Sequence, residues 1–132
     1  MFGMLDISTS ALVAQRTRLD AISANLANAD VKVDPTSPAA FSERIVEFAQ
    51  GDPVSGDPMG VHVAAINPRR AFRSMYAPTD PQADKNGFVW YPDIDPVVQQ
   101  ANGMTASRAY DANLAAIDAT KAMFDASLRI IA

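Results

Sequence analysis

The chain has 132 residues, a formal net charge of -4, 48% hydrophobic residues and no cysteine. That is the balance of one small globular unit rather than a disordered chain. Disulfide and thiolate chemistry are excluded, a multi-histidine metal site is excluded by a single histidine, His62, and mild acidity without clustered Lys and Arg argues against nucleic acid. No stretch reaches the roughly 18 apolar residues of a membrane span, direct lipid binding is not expected, and "MFGMLDISTSALVAQRTR" lacks the pattern of a cleaved secretory signal.

All nine prolines lie between Pro35 and Pro96, so long helices can run only outside that interval. The charges divide the same way: both ends are neutral and the middle carries the acidity. The expected organisation is an N-terminal helical segment (1–33), a β-rich middle (34–94) and a C-terminal helical segment (95–132).

In the first segment Leu5, Leu12, Leu19 and Leu26 recur every seven residues, with Ile22 and Ala29 three places after the last two. This is a narrow coiled-coil-like seam, half polar because Ser8 and Gln15 hold the earlier equivalent places. Its end reads "SANLANAD". Asn25 and Asn28 are three apart and share one side of a helix, a polar stripe on a residue type that favours helices poorly. The expectation is that both amides are satisfied across helix contacts and fix register.

The middle predicts four short strands, at 41–48, 60–66, 71–76 and 87–91, separated by the turn signals "DPVSGDPMG", "PTDPQAD" and Asn86-Gly87. His62 fits a half-buried strand position and has no nucleophile or second histidine at a motif spacing. Asp93 and Asp95 could form an acid/base pair, but Asp95 before Pro96 fits a helix N-cap better. Arg69 and Arg70 read as a basic turn between strands rather than an anion site. Phosphate loops, nucleotide fingerprints and calcium loops do not occur, so no catalytic, cofactor-binding or metal-binding residue is assigned, no cofactor is expected, and the chain is not read as an enzyme.

In the last segment Tyr110, Leu114, Ile117, Lys121, Phe124, Leu128 and Ile131 alternate steps of four and three, a heptad seam broken only at Lys121. Alanines fill much of the remaining surface and favour helix, whereas Gly103 weakens the first turns. Asn113 shares a face with Tyr110, a second polar marker. A helix over 97–131 is roughly 50 Å long, against a diameter of about 35 Å for a compact chain of this length, so one domain cannot wrap it. The interface residues expected from both seams are Leu12, Leu19, Ile22, Asn25, Leu26, Asn28, Tyr110, Asn113, Leu114, Ile117, Phe124, Leu128 and Ile131.

Three stretches resemble a known family: "SALVAQRTRLDAISANLANAD" is similar to the signature of flagellar rod, hook and hook-associated proteins, and "YAPTDPQADKNGFVWYPDID" and "ASRAYDAN" extend the likeness to the rod. The chain thus resembles the axial proteins of the bacterial flagellum, specifically the FlgC-type proximal rod proteins. The resemblance implies an α+β fold, two long terminal helices paired as a coiled coil with a small β-rich domain inserted between them. It also implies a structural subunit, exported uncleaved through the flagellar type III apparatus, that polymerises into a hollow shaft crossing the periplasm and transmitting torque from membrane ring to hook. Implied partners are copies of itself, other rod proteins, a rod-to-membrane-ring adaptor and the export apparatus. The alternative is a soluble helical adaptor or export-associated binding module of a type III secretion system.

Overall fold

A computed structural model describes residues 2–54, 56 and 58–131, the side chains of Phe2 and Ile131 excepted. The element order is α1 (Phe2–Asn28), β1 (Glu43–Gln50), β2 (Val61–Arg69), β3 (Phe72–Tyr76), β4 (Phe88–Pro92) and α2 (Pro96–Ile131). The α+β architecture is the expected one, with two long helices flanking two antiparallel hairpins.

Helix α2 begins where the local chemistry dictates. The Asp95 carboxylate accepts the Val97 amide at 2.8 Å and the Asp95 carbonyl accepts the Gln99 amide at 3.0 Å, so Asp95 is the N-cap and Pro96 takes the first helical position. Asp95 therefore serves the helix start, as its spacing suggested. Gly103 does not interrupt α2. A Cβ there would sit 3.6 Å from Ile22 Cγ2, and with Asn25 bonded to Gln99 this makes the two helices antiparallel.

The strands follow the predicted runs with shifted ends, β1 starting at Glu43 and β2 extending to Arg69. In the β1–β2 hairpin Glu43 stands opposite Arg69, and their ion pair closes at 2.6 Å as a cross-strand pair. The register slips after Glu47, leaving Ala64 as the extra residue of a bulge. This hairpin lies against α1, where Ser10 Oγ accepts the Val61 amide at 3.1 Å. In the β3–β4 hairpin Tyr76 opposes Phe88, and their rings meet edge to face at 5.4 Å. Gly87 turns that hairpin at φ 82°, in the left-handed region where glycine is unstrained. Residues after α1 hold the second hairpin: the Val33 amide donates to the Trp90 carbonyl at 2.9 Å, Lys32 pairs with Asp80 and Arg73 pairs with Asp30.

The buried apolar core is small, comprising Ala14, Ala21, Ile22, Ala29, Val89, Ile94 and Ala106 among the described residues. Four of these are alanines. Close approach of helix backbones therefore replaces bulky side-chain filling.

Candidate assembly surface

The predicted seam of α2 divides in the structure. Tyr110, Asn113, Ile117 and Phe124 are half-buried and Thr120 is buried, while Leu114, Lys121 and Leu128 are exposed. The inward face of α2 runs 99, 103, 106, 110, 113, 117, 120, 124, a heptad track one position away from the predicted one at alternate steps. Glycine, alanine and threonine on it let α1 come close, and Leu114 at 45% and Leu128 at 64% exposure are left on the flank. On α1, Leu12 and Leu19 are half-buried and Ile22 buried, but Leu26 is exposed. The Ile131 side chain lies outside the described residues.

The two asparagines of "SANLANAD" have different surroundings. Asn25 is 1% exposed and spends its amide inside the chain: Nδ2 donates to the Arg44 carbonyl at 3.0 Å and to Gln99 Oε1 at 3.1 Å, while Oδ1 accepts the Arg44 amide at 2.8 Å. Gln99 Nε2 donates onward to Glu43 at 2.6 Å, Glu43 pairs with Arg69, and Arg69 donates to the Asp93 carbonyl at 3.1 Å. Both helices and both strands of the first hairpin thus meet in one polar chain. Asn28, half-buried, donates to the Ala24 carbonyl one turn back at 2.8 Å. Asn25 is thus satisfied in part across the contact between the two helices of one subunit, whereas Asn28 bonds its own helix and crosses no contact; a buried amide must be satisfied locally whenever the monomer folds. Gln99 and Glu43 were not singled out from the sequence, and Arg69 was read only as part of a basic turn, because the network joins positions up to 74 residues apart.

The candidate chemical residues are absorbed into structure. The His62 Nδ1–H donates to the Gly51 carbonyl at 2.6 Å, which fastens the loop end of the first hairpin. Arg70 donates to the Ser37 carbonyl at 2.9 Å and closes the loop before β1. Among the described residues no group of three or more His, Asp or Glu side chains is placed to hold a metal ion, and no helix is long and apolar enough to cross a membrane.

What remains is surface. A compact monomer of this mass exposes about 6,700 Å², whereas this chain exposes 8843 Å². The surplus of about 2,100 Å² equals more than two partner footprints at about 800 Å² each. Its apolar part includes Met4 and Val13 on α1, and Val97, Met104, Leu114, Met123, Leu128 and Ile130 on α2.

Comparison with known proteins places these helices in a family. Residues 5–32 match the model of the flagella basal body rod protein family, and residues 85–130 match that of the flagellar basal body rod FlgEFG protein C-terminal region. The chain is 37% identical to the flagellar basal-body rod protein FlgC of Salmonella typhimurium, over 93% of this chain and 92% of the relative. It is 35% identical to FlgC of Aquifex aeolicus over 95% and 92%, and 33% identical to FlgC of Bacillus subtilis over 98% and 97%. The two matched regions carry α1 and α2, the elements whose flanks are left bare, and the chain belongs to the FlgC family of flagellar basal-body rod proteins, which are structural subunits and not enzymes.

Proposed function

We propose that this rod subunit polymerises through its terminal helices, with residues 1–33 and 95–132 forming the packed wall of a hollow shaft and residues 34–94 its outer face. The observation that carries this reading is the apolar flank of α2, exposed after α1 has covered one side. Exposed apolar stripes on alanine-rich helices are stabilised when neighbouring helices cover them, at about 25 cal/mol per Å². Copies of the chain and other rod proteins are the neighbours in this scheme. The interface comprises the exposed members of the predicted set, Leu26, Leu114 and Leu128, flanked by the half-buried Leu12, Leu19, Tyr110, Asn113, Ile117 and Phe124. Asn25, Asn28 and Ile22 support it from within. Export through the type III apparatus, attachment to a ring adaptor, passage across the periplasm and transmission of torque belong to the same proposal.

Leu114→Asp tests it. Leu114 is exposed in the monomer, so the soluble variant keeps its stability within about 0.5 kcal/mol, yet a charge pressed into an apolar contact carries a desolvation cost. Cells carrying it should lose motility and rods while exporting the protein. Normal rods and swimming with this variant would remove the flank from the interface.

A further inference from the structure

Beside the N-terminal half of α1 the first hairpin leaves a groove of about 520 Å³. It is lined by Ile7, Val13, Val61 and Val63, with the carboxylates of Asp6 and Asp52 along it. Ile7 and Val13 are exposed, Val13 at 63%. The rest of the molecule supplies a segment of matching character. The pairing of Ile22 with Gly103 and Asn25 with Gln99 sets a register in which paired residue numbers add to about 125. Residues beyond about 123 of α2 therefore have no counterpart on α1. This overhang carries Leu128 at 64% and Ile130 at 85% exposure; its charged side chains are Asp125 at its base and Arg129 in the last turn, between Leu128 and Ile130.

Resting on the polymerisation reading, we propose that the groove seats the C-terminal overhang of a second copy of this chain, Leu128 and Ile130 entering the apolar lining and Arg129 meeting Asp6 and Asp52. The contact cannot form within one molecule. In the register above Val13 lies level with residue 112, so Leu128 is sixteen residues further along, about 24 Å at 1.5 Å per residue. Seating the overhang at Val13 of another copy displaces the two subunits by the same distance along the helices. Groove and overhang are different surfaces, so the contact is head to tail, and its displacement of about 24 Å along the helices makes it propagate as an open helix instead of closing into a ring.

The chain has no cysteine, so Val13→Cys with Leu128→Cys introduces one unambiguous pair. Disulfide formation needs Cα atoms within about 7 Å, which the 24 Å separation denies to a single chain. In basal bodies purified from cells carrying the double variant, mild oxidation should move more than half of the chain into dimers and higher multiples, with the 13–128 linkage identified by peptide mass. Rods that contain the chain without this linkage overturn the groove contact while leaving polymerisation intact; a linkage from position 13 to a different polypeptide overturns the choice of occupant. Charge reversal reads the same contact without cysteines: Asp6→Lys and Arg129→Glu should each lower rod counts about tenfold, and their combination should restore at least half. Failure of the combination to restore rods overturns the proposal. A chain absent from rods altogether would instead strike the underlying reading.

Discussion

Where Asn25 meets Gln99, the helix pair is joined by amides, a carboxylate and a guanidinium that also grip the first hairpin. Where α1 begins, the opposing stretch of α2 offers Thr120 and alanines, and the Thr120 hydroxyl turns back to the Ala116 carbonyl at 2.8 Å. The first end is complete within one subunit. The second is slender, apolar on its flanks and incomplete. Directional polar bonds fix how the hairpin sits on the helices, while non-directional apolar contact is left for neighbours. A subunit that must fold as an individual and then pack in a crowded assembly gains from keeping these two kinds of interaction apart, because a buried polar group left unpaired costs more than an exposed leucine.

Asn25→Ala should break the comparison hardest. It leaves the Arg44 amide and carbonyl and the Gln99 amide oxygen without their partner, at about 1–3 kcal/mol for each group that water cannot reach. A loss of about 2–4 kcal/mol in urea unfolding is expected. Asn28→Ala removes only a bond to a helix carbonyl and substitutes a better helix former, so it should fall within about 1 kcal/mol of the parent. Equal effects for the two variants would show that the polar chain does not organise the closed end.

The glycines sharpen the same contrast with opposite signs. Gly87 combines a φ of 82° with a Cβ position 3.1 Å from a Tyr76 ring carbon and 3.2 Å from Pro78, so Gly87→Ala should destabilise the second hairpin by about 1–3 kcal/mol. Gly103 has helical geometry and ordinary clearance of 3.6 Å to Ile22. There alanine should stabilise by up to about 1 kcal/mol, through helix propensity. Thermal melts of the two variants give the signs directly, and a destabilised Gly103→Ala would mean that the helices approach more closely than this register allows.

Much of this was legible in the chain. The proline interval bounded the helices, turn signals separated the strands, and Asp95 before Pro96 marked the start of α2 because a cap is a local event. Asn25 was legible as a polar mark but not as a bond to Arg44, since nothing local specifies a partner from a hairpin whose docking depends on tertiary packing. The seam of α2 was displaced by one position at alternate steps for a related reason. Hydrophobicity alone favours the track through Leu114 and Leu128, but helix approach is governed as much by where small residues permit it, and Gly103, Ala106 and Thr120 lie on the adjacent track.

The smallest effect concerns the acidic turn of the second hairpin. Asp84 accepts the Phe88 amide at 2.9 Å, the Trp90 indole N–H at 3.2 Å and the Asn86 amide at 2.8 Å, and these bonds, the Phe88 amide first, hold its carboxyl below the ordinary 3.8. Asp80 is held low chiefly by Lys32, and Asp34 by the Thr36 hydroxyl. A depressed carboxyl contributes stability that is full above its unfolded value and is lost as pH falls through the folded value, so these turns should weaken only below about pH 3.8. Lys32 shifts upward through its bond to Asp80, and its contribution is full below 10.5 and lost as pH rises above that. Trp90, the sole tryptophan, reports the acid limb by its fluorescence. Emission should stay level from neutrality to about pH 4 and then change, and Asp84→Asn, which keeps an oxygen for Phe88 but turns an amide donor toward the indole, should flatten that change. An unaltered acid transition in Asp84→Asn would assign the acid sensitivity to Asp80 and Asp34, and with it the closing of the hairpin to the residues that follow α1.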